Sequence, residues 1–372
     1  MRIPALVAAA LAAAACSSPS GPKPAELQRL EKAQEVRVLW SASIGSADRF
    51  VFFPALVGDA VFAAARDGTV VRLDAAAKGK ERWRVTLEKQ LSAGVGASES
   101  TVVVATEDGD VFALSASDGK LRWRSRVSSE VLAPAALASG LVIVRSVDNR
   151  IFAFDEQDGK RRWVYQRAPA SLIVRSPAGV TIVGDTAYAG FSGGKLAAMA
   201  LSNGGVRWES TVAVPKGATE LERVTDVVGE PVVQGREVCA AAYQGRVACF
   251  EMANGRQVWS RELSSLTGVT VDARYAFVSD DRGSVHELDR SNGRSVWKQD
   301  KLGYRQLSVP APFGNLVAVG DLEGYVHFLS RDSGAFVARY SSGGGPVRAA
   351  PLPIASSLLI QTQDGTLVAL AL

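Results

Sequence analysis

The stretch EDGDVFALSASDGKLRWRSR, residues 107–126, decides the fold. Asp108-Gly109 and Asp118-Gly119 are turn dipeptides, because Gly accepts the positive φ that a tight hairpin demands. The apolar runs that follow them, around Val111 to Leu114 and around Trp123, are too short for helices and rich in β-branched and aromatic residues. The stretch therefore reads as two antiparallel strands, each entered through a turn. Its first half recurs as RDGTVVRL from Arg66, VDNRIFAF from Val147, SGGKLAAM from Ser192, YQGRVACF from Tyr243, DRGSVHEL from Asp281, LEGYVHFL from Leu322 and QDGTLVAL from Gln363. With the opening copy, that makes eight.

The second half recurs as well. Trp40, Trp83, Trp123, Trp163, Trp208, Trp259 and Trp297 stand 43, 40, 40, 45, 51 and 38 residues apart. The last six follow a turn at Lys78-Gly79, Asp118-Gly119, Asp158-Gly159, Asn203-Gly204, Asn254-Gly255 or Asn292-Gly293. A further turn at Asp332, Ser333 and Gly334 leads to Ala338, 41 residues after Trp297, where the Trp is replaced. Each repeat of about 40 residues is thus a four-stranded antiparallel meander that cannot bury both faces alone. Eight of them stacked radially bury all faces, which predicts an all-β fold: a single eight-bladed β-propeller over residues 35–372. The last repeat lacks an outer strand, and the segment from Glu35 to Ser43 is a strand without a repeat. The N-terminal strand is therefore expected to close the last blade and leave no open edge. The only helical signal is a short turn at Glu26 to Ala33.

Composition excludes several classes. Hydrophobic residues make up 47% and charged residues 22%, as in a globular protein rather than a disordered or collagenous one. The 42 Lys and Arg are scattered among 38 Asp and Glu, for a net charge of +4, so neither a nucleic-acid groove nor a polybasic membrane patch is indicated. At the N-terminus, the apolar run from Ile3 to Ala15 is too short to span a bilayer and has the length of a secretory signal core, so residues 1–15 are expected to be removed. The junction Ala13-Ala14-Ala15-Cys16 resembles a bacterial lipobox, although Ala13 stands where Leu is usual; an ordinary signal peptidase would also accept the three alanines. Lipidation of Cys16 would leave residues 16–34 as a lipidated tether, each buried methylene contributing about 0.8 kcal/mol to membrane binding. Ser17 lacks the Asp that retains lipoproteins in the inner membrane, which by the same resemblance implies the outer membrane.

The repeat resembles the pyrroloquinoline-quinone-type propeller repeat. Within that group the chain is similar to the outer-membrane assembly lipoproteins of the BamB family, through VLWSASIG from Val38, TELERVTDV from Thr219, VGDLEGYVH from Val319 and QDGT from Gln363. That resemblance implies a non-catalytic scaffold subunit of the β-barrel assembly machinery, facing the periplasm from the outer membrane. It would bind the POTRA domains of BamA beside the other lipoproteins of the complex, assist nascent outer-membrane β-barrel proteins, carry no cofactor, and touch the membrane through its lipid alone. The alternative within the repeat group is a quinoprotein dehydrogenase. Those enzymes carry a carboxylate-rich Ca²⁺ site and often adjacent cysteines, and this chain has no adjacent cysteines. No nucleophile elbow, phosphate loop or HExxH sequence appears either.

Candidate residues follow from where the period is stretched. The two longest Trp intervals are consecutive, and extra chain in a repeat array falls in loops on one face, where binding residues concentrate. The first holds APASLIVRSP from Ala168 and the second ELERVTDV from Glu220. An apolar run beside Arg has the character of an interaction hot spot; a strand-starting role for Leu172 and Val174, with solvated charges at Glu220, Glu222 and Asp226, is the alternative. The family resemblance places BamA contacts on Leu172, Val174, Arg175 and Asp226, with Asp226 expected to meet a basic group on the partner. The family has a second Asp two residues later, where this chain has Val228. Asp108, Asp148 and Asp364 are explained by their turns. His286 and His327, equivalent in successive repeats, are expected as outward strand residues without a metal. Cys239 and Cys249 flank a hairpin; a two-residue turn at Gln244-Gly245 would set them one residue out of register, so two buried free thiols are expected.

Overall fold

The computed structural model describes residues 21–168 and 171–372. The expected signal peptide and Cys16 lie outside the described residues. Among the described residues, thirty-two strands form eight four-stranded antiparallel sheets, each a meander in sequence order except the last. In blade 1 the inner strand is Ala55–Val57, followed by Ala60–Ala64, Thr69–Asp74 and the outer strand Lys80–Thr86. The two middle strands are buried along nearly their whole length, with Val61, Phe62 and Ala63 at 0 to 1% exposure, because each lies between two neighbouring blades. This is why they read as continuous apolar runs rather than alternating ones. Outer strands alternate between inward Trp and outward Arg, having one wet side.

The core is accordingly divided. Eight hydrophobic clusters are wedged between successive pairs of blades, such as Phe62 with Phe112 between blades 1 and 2, and Val180 with Ile143 between blades 3 and 4. Burying one such Phe contributes about 1.5–3 kcal/mol.

A second device ties blade to blade. Each Trp of an outer strand lies over the glycine of the next blade's outer hairpin, and six of the seven indole nitrogens donate to a carbonyl there: Trp83 to Ala116, Trp123 to Glu156, Trp163 to Leu201, Trp208 to Met252, Trp259 to Arg290 and Trp297 to Arg331, at 2.5–3.0 Å. At Gly79, Gly119, Gly159, Gly204, Gly255, Gly293 and Gly334, φ is +69 to +73°, and a Cβ would stand 2.4–2.8 Å from the facing indole. Both the turn and the close approach require glycine, so the Gly-to-Trp period in the sequence is the trace of one contact repeated around the ring.

Ring closure explains the missing eighth Trp. Strand Arg37–Ser43 pairs antiparallel with Thr366–Ala371, from Arg37 opposite Ala371 to Ser43 opposite Thr366, and becomes the outer strand of blade 8. Its Trp40 packs on Gly79 of blade 1. Because that outer strand comes from the other end of the chain, no hairpin joins it to Thr366–Ala371. The Trp of blade 7 would need that hairpin, and its position holds the fully buried Ala338.

Three local expectations are corrected. Cys239 and Cys249 lie directly opposite each other, 4.0 Å apart at Cα, and form a disulfide. The ladder ends at Ala241 opposite Val247, leaving an odd loop with Gln244 at φ +47°, and this restores the register that a two-residue turn would have broken. His286 and His327 are not outward: they are 7% and 0% exposed, each ring directed at an aspartate six residues earlier, Asp280 at 2.9 Å and Asp321 at 2.8 Å. The third strand of a blade is covered on both sides, so a His there is buried and takes a partner from its own hairpin. Finally, residues 26–33 hold no helix, only a turn at Glu31 and Lys32 within an otherwise irregular strap along the ring.

Candidate functional site

A meander of this kind places the turns between second and third strands on the same face as the connections between blades. We call it the upper face; the glycine hairpins under the indoles occupy the lower one. Both stretched intervals fall on the upper face, in the connection from blade 3 to blade 4 and in the connection from blade 4 to blade 5.

The first connection is latched from below. The carboxylate of Asp226 accepts hydrogen bonds from the backbone N–H of Val174 at 2.6 Å and of Gly193 at 3.3 Å. Asp226 itself is 5% exposed, bridges Ser192 through the backbone, and accepts from the Tyr243 N–H at 2.9 Å. Asn149 donates to the Ser192 hydroxyl at 2.8 Å. Turns of blades 3, 4 and 5 are thereby laced into one support. Burial raises the Asp226 carboxyl above its usual range, against those hydrogen bonds and the charge of Arg145. Burial likewise pushes Arg145 down to about 10, with Asp226 opposing the shift, while its guanidinium donates to the Ala178 carbonyl at 3.1 Å. A cavity of about 30 Å³, room for one water, lies between Arg145, Asn149, Ile173, Val174 and Asp226.

What the latch presents is apolar with a charge beside it. Leu172 and Ile173 are 47% and 40% exposed, Val174 is half-buried, and Arg175 extends along the rim. Its guanidinium forms a two-pronged pair with Glu130, one prong at 3.0 Å, and stands 5.2 Å from the centre of the Phe50 ring. Arg66 and Arg49 stand over the same ring at 4.4 and 5.1 Å and both pair with Glu107. Three guanidiniums thus surround one ring that is only 2% exposed, and with Glu107 and Glu130 they form a preorganised charged network on the upper rim of blades 1 to 3.

The second connection is ordered by its own side chains. Glu222 accepts from the N–H groups of Ala218 and Thr219 at 2.9 and 3.0 Å, and the Thr219 hydroxyl accepts from the Glu222 N–H at 3.2 Å. This reciprocal capping displays Leu221 at 70% exposure.

The structure thus brings Leu172, Val174, Arg175 and Asp226 into one assembly, with Asp226 facing inward under the loop rather than outward. Val228 is 1% exposed in the inner strand of blade 5, so a single buried acid serves the latch. Sequence reasoning missed Phe50, Arg66, Glu107, Glu130 and Ile173. Arg66 and Glu107 open equivalent repeats with opposite charges, a signal that was available; Phe50 and Glu130 lie in connections where the repeat gives none. Among the described residues no group of three or more His, Cys, Asp or Glu has the arrangement of a metal site.

Comparison with known proteins decides the family. A family profile described as outer membrane protein assembly factor BamB matches residues 66–299. The chain belongs to the BamB family. Outer membrane protein assembly factor BamB of Bordetella pertussis is 42% identical over 347 residues, covering 93% of this chain and 89% of the relative. That of Pseudomonas aeruginosa is 44% identical over 370 residues, covering 98% and 97%. The crystal structure of BamB from Moraxella catarrhalis superposes with a TM-score of 0.84 at 28% identity, covering 91% of this chain and all of that one. Quinohemoprotein alcohol dehydrogenase from Comamonas testosteroni reaches a TM-score of 0.70 at 12% identity over 90% of this chain and 76% of its own, which is likeness of fold alone. Membership makes the chain an outer membrane protein assembly factor.

Proposed function

We propose that the chain is a non-catalytic scaffold of the β-barrel assembly machinery, anchored by acyl chains on Cys16 at the periplasmic face of the outer membrane, and that its upper-face loops of blades 3 to 5 bind the POTRA domains of BamA. In this reading the other lipoproteins of the complex share BamA with it, and nascent outer-membrane β-barrels benefit from the arrangement. The observation that carries it is the latched loop: two exposed aliphatic side chains beside an arginine, held in place by a buried carboxylate. Such a loop arrives ordered, so association does not pay for ordering it, and aliphatic anchors flanking Arg match the chemistry of hot spots. Leu172, Ile173 and Val174 would cover an apolar patch on BamA and Arg175 would meet an acidic group, while Asp226 acts by positioning Val174. Arg175 is half-exposed while Glu130 is 17% exposed, so Arg175 would turn to an acidic group on BamA by giving up its two-pronged pair with Glu130.

The test is the affinity of the purified protein for the periplasmic region of BamA. Arg175→Ala and Asp226→Ala should each weaken binding about tenfold or more. Glu130→Gln, which frees Arg175, should leave it equal or tighter. Affinities unchanged for both Arg175→Ala and Asp226→Ala would refute the site.

A further inference from the structure

A buried polar network far from that loop holds the N-terminal strap. On the upper rim the Ala25 N–H donates to the Gly303 carbonyl at 2.8 Å, and the Ala25 carbonyl accepts from Arg305 at 2.9 Å. Leu27 packs into the cluster between blades 6 and 7. The Gln28 carbonyl accepts from Arg339 at 2.9 Å. Further down, the Gln34 N–H donates to Val337, at the lower end of the outer strand Phe336–Ser341 of blade 7, and Val36 joins the cluster between blades 7 and 8. The strap therefore descends the outer edge of blade 7 from the upper face to the lower.

The two arginines that grip it are wired together. Arg305, 2% exposed, donates its Nε to Asp321 at 2.7 Å; the same carboxylate oxygen contacts His327 Nε2 at 2.8 Å. His327 Nδ1 lies 3.1 Å from Arg339 Nε, which can only donate. The ring is thus neutral with its proton on Nε2, passing the linkage from Asp321 to Arg339. Both Asp321 and His327 are fully buried, so strap and blade 7 form one unit.

The consequence lies in the chain before Ala25. It leaves the ring on the upper rim, the same face as Leu172 and Arg175 but on the far side of the axis. From Cys16 to Ala25 is nine residues, a span of about 30 Å at most. Reaching past a six-residue strand to the lower face would consume about 20 Å of it. We propose that the strap is the mount of the membrane anchor, and that it turns the upper face of the propeller, not the glycine-hairpin face, toward the lipid surface. This rests on the lipid anchor at Cys16 proposed above.

The experiment uses the full-length lipidated protein in phospholipid vesicles containing a headgroup-linked quencher. Fluorophores are placed at Glu220→Cys on the upper face or Ala253→Cys on the lower face, neighbouring positions in the ring that are both exposed. The label at 220 should be quenched several-fold more than the label at 253, and inserting about twelve Gly/Ser residues after Gly21 should abolish the difference, since a flexible tether of that length reaches both faces. Equal quenching in the parent protein, or stronger quenching at 253, overturns the proposal. If the labelled protein does not float with vesicles, the anchor reading itself fails and the orientation with it; flotation with equal quenching removes the orientation only.

Discussion

Two glycine substitutions separate the contributions that the indole-over-glycine contact combines. Gly140 and Gly159 lie in neighbouring turns of blade 3 with nearly the same backbone, φ +74° and +69°. Around Gly140 a new Cβ meets nothing within 4 Å, whereas at Gly159 it would stand 2.6 Å from Trp123 Cδ2. Gly140→Ala therefore carries only the left-handed backbone cost, about 1–2 kcal/mol. Gly159→Ala adds displacement of a packed indole, about 1–3 kcal/mol for overpacking. The Trp123 hydrogen bond to Glu156 at 2.9 Å and the Ser125 hydroxyl bond to the Gly159 carbonyl at 2.6 Å are strained with it. The expected totals are about 1–2 and about 2–5 kcal/mol. Urea unfolding of parent and both variants, with Trp fluorescence and an unchanged dependence on denaturant, measures the gap. Measured against Trp123→Ala alone, Gly159→Ala should cost only the backbone component, because the indole it would displace is gone. Equal destabilisation by the two Ala substitutions would refute the account of why the repeat pairs Gly with Trp.

Three further outcomes are expected. Glu287 is 0% exposed with no partner for its carboxylate oxygens among the described residues, the Trp297 indole being given to Arg331, and burial pushes its pKa up to about 7. The folded state thus favours the protonated form, so stability is highest below the ordinary value of 4.5 and falls as pH rises through 7, by roughly 3 kcal/mol. The stability gained in Glu287→Gln should grow between pH 5 and 8, and a gap independent of pH contradicts this. Reducing the Cys239–Cys249 bridge, which closes a loop of ten residues' separation, should cost about 2–3 kcal/mol in the same unfolding assay; no change on adding reductant would show free thiols. Burial holds His327 below its usual value despite Asp321, and protonation would also lose the bond from Arg339 and add a charge beside Arg339 and Arg305. With a depressed folded pKa the stabilisation is present above 6.5 and lost as pH falls below it. Exchange of the amides at Ala25 and Gln34, corrected for intrinsic rates, should therefore accelerate from pH 7 to 5 in the parent and not in His327→Gln.

The ring was legible because its signals are local and obligatory. A glycine that must adopt positive φ and also admit an indole cannot drift, and the chain restates that requirement at Gly79, Gly119 and onward to Gly334. Closure was legible as a matching surplus and deficit of strands, and the structure adds the reason that Ala338 replaces Trp. What depends on loop parity or cross-blade contact was not. The loop around Gln244 has one residue more than a tight hairpin, and that single residue moved Cys239 opposite Cys249. The burial of His286 and His327 follows from cover by neighbouring blades, though an Asp six residues ahead of each, Asp280 and Asp321, was a visible hint. At the candidate site the stretched intervals pointed to two upper-face loops and the family resemblance to Leu172, Val174, Arg175 and Asp226, four residues that the structure places in one assembly. The inward turn of Asp226 and the pairing of Arg175 with Glu130 depend on how blades 2 to 5 meet, which no single repeat encodes.

The central claim, that this chain is a working part of the β-barrel assembly machinery, is tested most directly by isolating the tagged full-length protein from the membranes of its own cells and identifying what accompanies it by mass spectrometry. The account predicts BamA and its companion lipoproteins in the purified material, with BamA reduced when Arg175 is replaced by Ala. Recovery of the propeller from those membranes without BamA, under conditions in which BamA retains its other partners, would contradict it.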